Sequence, residues 1–300
     1  MVQDLSFSDL SLCLKTEGLS FRAGCFTVKL HSDIANVVSG LSTLYSDSEI
    51  ITEPCDFTIT VEKKAGLRQY IKPQVQFYFN GIEPFTPLPY GQALPLFEWG
   101  LNWCVTNHCH QYLIIHAAVV EKNGLALIMP GQPGSGKSTL CAALVEVGGW
   151  RLLSDELTMV HLDGKKIQPN PRPTSLKNQS IDFVKSFTSA ERFTPTVHDT
   201  LKGSVAHLKP LSINVDQFNK TAAPVLIVYP KYEQGVDSTL TELSKGDSFL
   251  RLADHSFNYS ILGAAGFDAL SKLHDKVGCY EFHYNGDIVQ AIATMDSLLY

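Results

Sequence analysis

The run Gly131-Gln132-Pro133-Gly134-Ser135-Gly136-Lys137-Ser138-Thr139 fits the spacing G-x-x-x-x-G-K-[ST] at every fixed position. That spacing suits phosphate. Glycines let successive backbone N–H groups point into one concavity, where a side chain would block a phosphate. A helix beginning at the lysine adds unpaired donors and partial positive charge. Lys137 can then reach the β- and γ-phosphates, and the Ser138 hydroxyl can ligate Mg²⁺. ATP and magnesium are the expected cofactors, with Gly131, Pro133, Gly134, Ser135, Gly136, Lys137, Ser138 and Thr139 forming the cradle. The bare pattern arises by chance in roughly one chain in a hundred of this size.

Asp155-Glu156 closes the first strand expected after the loop. Such a pair can hold Mg²⁺ and accept a proton from an attacking hydroxyl. Arg172, Lys177 and Lys202 are the cations to look for beside a transferring phosphoryl group. His116 falls on the strand expected next to the loop-bearing one. The cluster Cys104, His108, Cys109 and His110 reads as the end of an amphipathic helix, because zinc sites draw ligand pairs from separated segments.

These residues need a scaffold. Leu125–Pro130 reads as the strand feeding the loop, and Tyr112–Val120 as its antiparallel neighbour through a Glu121–Gly124 turn. Trp150–Ser154 and Val225–Pro230 read as strands, Cys279–Tyr284 as a late one. Helices are expected over Ser244–Leu252, Phe257–Leu273 and Gly286–Leu299. Residues 169–178 read as turn-prone loop. Ahead of all this, strands are expected at Cys25–Leu30, Phe57–Val61 and Val75–Phe79, the last turning through Asn80-Gly81 into Ile82–Phe85. Pro87, Pro89 and Gly91 read as loop. A helix from Ile34 to Tyr45 takes Asp33 as N-cap, and one from Gln92 to Thr106 turns Trp99 and Trp103 toward the core.

The 300 residues suffice for one large or two medium domains, and the net charge of −6 recommends neither nucleic acid nor an anionic membrane as partner. The start lacks a leader pattern and no stretch is apolar for long enough to span a bilayer, so the cytoplasm is expected. Seven cysteines without a framework read as reduced thiols.

From about residue 112 onward the chain resembles the HPr kinase/phosphorylase superfamily, which shares its P-loop core with phosphoenolpyruvate carboxykinases. The resemblance rests on His116-Ala117-Ala118-Val119-Val120, the glycine loop, and Leu152-Leu153-Ser154-Asp155-Glu156. It looks closest to the HprK-related kinase A branch through Asn170–Asn178, Lys202–His207 and Phe257–Gly263. It implies an α/β fold with an HPr kinase/PEP-carboxykinase-like P-loop core over 111–300, preceded by an N-terminal α+β module over 1–110. It further implies that Asp155 is the general base for a substrate serine, that His116 lies near the phosphates, and that the chain forms a homo-oligomer. Two positions depart from the pattern: Glu156 stands where HPr kinase has a second aspartate, and Lys202 where it has arginine. Residues 1–110 do not resemble that family's N-terminal domain, so HPr itself is not carried over as substrate.

The expected protein is an ATP- and Mg²⁺-dependent kinase acting on a hydroxyl, a serine of a small protein or peptide. Ser138 and Glu156 would organise the metal beside Asp155, while Lys202 and Arg172 balance charge on the moving group. A small-molecule kinase and a non-catalytic ATP-binding switch are the alternatives.

Overall fold

Period-two alternation of apolar residues builds the first sheet. In the computed structural model, which describes residues 1–66 and 70–299, β1 (Leu19–Ala23) and β2 (Phe26–His31) form a hairpin with every second residue buried. β3 (Phe57–Lys63) joins β2 in parallel, and β4 (Gln74–Phe79) and β5 (Leu88–Pro89) follow antiparallel. Helices α1 (Phe7–Lys15), α2 (Ala35–Leu44) and α3 (Ala93–His108) share one apolar core with this sheet. That core extends into later strands through Ile114, Leu157 and Met159.

Three local expectations change here. Asp33 does not cap α2; Ile34 holds that position with no side-chain cap, and its N–H donates to the Ser32 hydroxyl at 3.3 Å. The expected return strand Ile82–Phe85 shrinks to a single bridge between Phe79 and Ile82, since Pro84 has no N–H for a ladder. Leu88–Pro89, expected as loop, pairs instead with the start of β4.

The second sheet carries the glycine loop. β6 (Tyr112–Lys122) runs antiparallel to β7 (Leu125–Pro130), and runs two residues past its expected end. Asn123 (φ 56°) and Gly124 (φ 83°) alone make the turn, as a two-residue hairpin with both central residues left-handed requires. β8 (Arg151–Ser154) and β9 (Leu157–His161) pair with successive parts of β6, and β10 (Ile167–Gln168) extends that edge. A small separate sheet holds β11 (Thr174–Lys177), β12 (Val197–Thr200) and β13 (Gly203–Leu208), with β13 central. β14 (Ala223–Tyr232) then lies parallel to β7, β15 (Thr239–Glu242) forms an outer edge, and β16 (Gly278–Tyr284) lies parallel to β14.

Seven helices complete the described second half: α4 (Lys137–Glu146), α5 (Gln179–Lys185), α6 (Ser212–Asp216), α7 (Lys245–Asp254), α8 (Tyr259–Leu262), α9 (Ala264–His274) and α10 (Ile288–Ser297). Alternate residues of β6 and β7 feed opposite faces of the sheet. Ala118, Val120, Leu127 and Met129 meet α4 and α10, while Ala117, Val119, Ala126 and Ile128 share a core with α7 and α9. Burial on both faces explains why these strands read as continuous apolar runs. The helix expected over Phe257–Leu273 is broken in two at Gly263, which takes φ 55°. No helix among the described residues is long and apolar enough to cross a membrane.

The architecture is therefore mixed α/β. The carboxyl ends of β7, β14 and β16 point one way, with the glycine loop at the end of β7.

Candidate active site

The loop from Gly131 to Gly136 connects β7 directly to α4, which begins at Lys137. Gly134 (φ 89°) and Gly136 (φ 84°) occupy left-handed backbone that a larger residue would resist. A Cβ at Gly131 would fall 2.5 Å from the Ser135 hydroxyl. The loop is braced from outside. The Tyr284 hydroxyl donates to the Gly136 carbonyl at 2.8 Å, and the Tyr232 N–H to the Ser135 carbonyl at 2.9 Å. Gln132, Pro133 and Gly134 remain exposed at the rim, while Lys137 is buried behind them at 8% exposure. Burial pulls the Lys137 ammonium below its usual pKa, against the opposing pull of Asp155 and Glu156.

Asp155 and Glu156 occupy the bend between β8 and β9, and their side chains part. Ser138 Oγ donates to Asp155 Oδ2 at 3.2 Å, and the Ser175 N–H donates to the same oxygen at 3.2 Å. Asp155 Oδ1 is buried and has no partner. Burial first, and then the charge of Glu156, push Asp155 up to about 6. Glu156 is held elsewhere: Asn102 Nδ2 donates to its Oε2 at 2.5 Å and Lys177 Nζ lies 3.5 Å from its Oε1. Burial alone would raise Glu156, but Lys177, Lys202 and Lys137 outweigh it and bring it down to about 2. Of the three residues expected around the metal, Ser138 and Asp155 are in direct contact, while Glu156 turns to Asn102 and Lys177.

Arg172 was expected beside a transferring phosphate; its guanidinium is instead buried in the protein. It pairs with Glu98 at 2.7 Å and donates to Asn102 Oδ1. Arg172 thereby touches Glu156 only through Asn102. The proline-rich stretch over 169–173 lies outside the helices and strands, as expected, but is interior, with Asn170 at 1% and Arg172 at 7% exposure. Asn170 fills the space beside Gly24, where a Cβ would come within 1.9 Å of its Oδ1.

Lys202 sits in the two-residue turn between β12 and β13, where Gly203 takes φ 82°. Its Nζ lies 5.0 Å from the Trp99 ring centroid, within cation–π range. Trp99, expected in the core, therefore borders the site. His116 lies on β6, where burial, and then the charge of Lys137, lower its pKa to about 4, so its ring is neutral near pH 7. Its ring lies 5.6 Å from Phe257 and 6.4 Å from His255. In the cysteine–histidine cluster, the His108 ring lies tilted against Phe79 and edge-on to Trp103.

A cavity of about 20 Å³, room for one or two waters, opens between α3 and the bend at Asp155. Trp99, Asp155, Arg172, Ser175 and His207 line it, and Trp99 Nε1, Asp155 Oδ1, Arg172 Nε, Ser175 Oγ and His207 Nε2 are buried without hydrogen-bond partners. Buried polar atoms in a native protein are nearly always paired, so this group marks a place that takes a water or a polar ligand. Glu98, Trp99 and Asn102 come from a helix far away in the chain, and nothing in their spacing marks them. Among the described residues, no three His, Cys, Asp or Glu side chains cluster as a metal site. A hydroxyl and one carboxylate, Ser138 and Asp155, nevertheless fit magnesium, which keeps waters and phosphate oxygens as its remaining ligands.

No family model and no curated protein matches the sequence. Among solved structures, one titled as the Hpr(Ser) kinase/phosphatase from Coxiella burnetii is similar at 9% identity and a TM-score of 0.28. The match covers 62% of this chain and 96% of that one. A likeness at that level supports neither a common site nor a common activity.

Proposed function

We propose that the chain is an ATP-dependent kinase that transfers a γ-phosphoryl group to a hydroxyl, built on a P-loop core of the HPr kinase kind. The observation that carries this reading is the contact between Ser138 and Asp155, which leaves Asp155 Oδ1 buried and unpaired. Loop N–H groups and Lys137 hold the triphosphate. Ser138 and Asp155 would hold Mg²⁺, whose charge offsets that of the phosphates.

Asp155 Oδ1 takes the proton of the attacking hydroxyl as the new O–P bond forms and the bond to the leaving ADP breaks. Before nucleotide and metal bind, that carboxylate is poised near 6, largely ionised at neutral pH and ready to accept a proton. Lys177 and Lys202 flank Glu156 and supply positive charge to the oxygens of the moving group. Glu156, anchored by Asn102 and Lys177, sets the position of those cations. Arg172 positions Asn102 from the wall of the cavity beside Asp155.

The cavity beside Asp155 is narrow, which favours a hydroxymethyl tip: a serine of a peptide or small protein, or a small alcohol. The test is label transfer from γ-labelled ATP with Mg²⁺, offered to a serine peptide library and to small alcohols in parallel. Transfer to either class, lost in Asp155→Asn, supports the reading. ATP bound with no transfer to any acceptor leaves a nucleotide-binding switch, and no ATP binding at all overturns both.

A further inference from the structure

The two acids and the lysines flanking them lie to one side of the glycine loop. β7 has β6 as one neighbour and β14 as the other. Asp155 follows β8, which pairs with β6. A triphosphate whose reactive end meets Asp155 must therefore carry its nucleoside toward the other flank, over the carboxyl ends of β14 and β16. Ligands in such sheets lie outside the carboxyl ends of parallel strands.

Tyr232 ends β14 on that flank and Tyr284 ends β16, as direct partners in the ladder. Tyr284 is buried at 2% exposure, with its hydroxyl on the Gly136 carbonyl. Tyr232 remains 43% exposed, although it is fixed on several sides. Its N–H bonds the Ser135 carbonyl at 2.9 Å and its ring meets Tyr284 edge-on at 5.7 Å between centroids. A Cβ at Gly136 would lie 2.8 Å from the Tyr232 Cβ, and one at Gly286 would lie 3.2 Å from its ring. Gly286 thus leaves room for the ring to stay where it is. An aromatic ring held in place and half-open to solvent, on a residue whose backbone and Cβ adjoin the phosphate loop, has the properties of a stacking platform.

We infer that Tyr232 is the surface on which the nucleotide base stacks, an assignment that rests on the phosphate-loop reading above. Stacking uses the π-face that every purine has, so Tyr232 favours nucleotides over bare polyphosphate without choosing between adenine and guanine.

The test compares Mg²⁺-ATP, Mg²⁺-GTP and inorganic tripolyphosphate by titration calorimetry. Tyr232→Ala keeps the Cβ beside Gly136 and the N–H to Ser135. It is expected to weaken ATP and GTP about ten-fold, a typical loss for one stacked base, and to leave tripolyphosphate within about two-fold. Tyr232→Phe, with the ring intact, is expected to bind ATP like the parent. Equal loss for ATP and tripolyphosphate would show that the side chain only braces the loop, and unchanged ATP affinity would show no stacking; either overturns the inference alone. A parent protein that binds neither ATP nor tripolyphosphate overturns the inference together with the reading beneath it.

Discussion

Asp155 and Glu156 are adjacent in the chain and are driven in opposite directions: burial and like charge push Asp155 up to about 6, while three lysines bring Glu156 down to about 2. Pairs of acids separated in this way have divided roles, one able to exchange a proton near neutrality and the other fixed as an anion. The division follows from the contacts. Asp155 accepts two ordinary hydrogen bonds in a buried site, and Glu156 faces ammonium groups.

The pH profile of phosphoryl transfer should carry this signature. For kcat/KM with respect to ATP, which reports the free enzyme, activity is expected to rise as the pH passes through about 6, where Asp155 loses its proton, and to level off above it. Glu156 stays ionised throughout that range and His116 stays neutral, so neither adds a second inflection between pH 5 and 8. A profile with a midpoint near 4 would point to a freely solvated carboxylate instead.

Asp155→Asn separates chemistry from stability. Transfer should fall by about 10²- to 10⁴-fold, the usual range for a lost general base, with ATP still bound. Stability should move the other way. The folded state binds the Asp155 proton more tightly than the unfolded chain, with pKa values of about 6 and 3.8. Ionising the group above pH 6 therefore costs the fold on the order of 3 kcal/mol, and this cost disappears as the pH falls through 6 toward 4. Denaturant melts at pH 7.5 should show the Asn variant more stable than the parent, with the gap closing near pH 4.5. Lower stability at pH 7.5 would mean that the two hydrogen bonds to Oδ2 outweigh the desolvation of the charge.

Asn102 joins two ionic systems, accepting from Arg172 and donating to Glu156. Asn102→Leu leaves Arg172 with Glu98 but releases the Glu156 carboxylate toward the lysines. Loss of a hydrogen bond to each of two charged groups suggests about 3–6 kcal/mol of destabilisation, and transfer should drop while ATP affinity holds. Arg172→Met is the contrasting change. It strands Glu98, which is 4% exposed, and breaking a buried pair in that way costs about 3–5 kcal/mol. Glu98→Gln combined with Arg172→Met should regain part of that stability. Recovery of stability without recovery of transfer would confine Arg172 to its structural place.

Much of this arrangement could be read from local pattern. The loop, β6, β7 and the bend at Asp155 all follow from spacing, apolar runs and glycine positions, because phosphate binding at a strand–helix junction is a local device. The contribution of α3 was not legible. Trp99 and Asn102 lie on a helix whose apolar stripe marks a core face, and their approach to Lys202 and Glu156 depends on how the first sheet docks against β6 and β9. Arg172 misled for the same reason: a lone arginine after prolines looks solvent-facing until Glu98 arrives from elsewhere in the chain. The small sheet β11–β13 was missed because its strands are short and interrupted by turn residues, so their pairing comes from tertiary contact more than from alternation.

Gly136 offers a test of the loop that does not depend on the acceptor. Its φ of 84° disfavours any residue with a side chain, by roughly 1–2 kcal/mol for an L-residue in the left-handed region. An alanine Cβ there would also come within 2.2 Å of the Tyr284 hydroxyl. Gly136→Ala is therefore strained twice, by backbone and by contact, and should lower the thermal midpoint by several degrees and weaken ATP and tripolyphosphate alike. Removing the hydroxyl with Tyr284→Phe in the same chain relieves the contact but not the backbone. It also gives up the 2.8 Å hydrogen bond to the Gly136 carbonyl. If contact strain dominates, the double variant melts above Gly136→Ala; if backbone strain dominates, it melts at or below it. In either case phosphate affinity should stay low, because the loop amides converge only when Gly136 holds its left-handed turn. A double variant that regained full ATP affinity would show that the cradle forms without that turn.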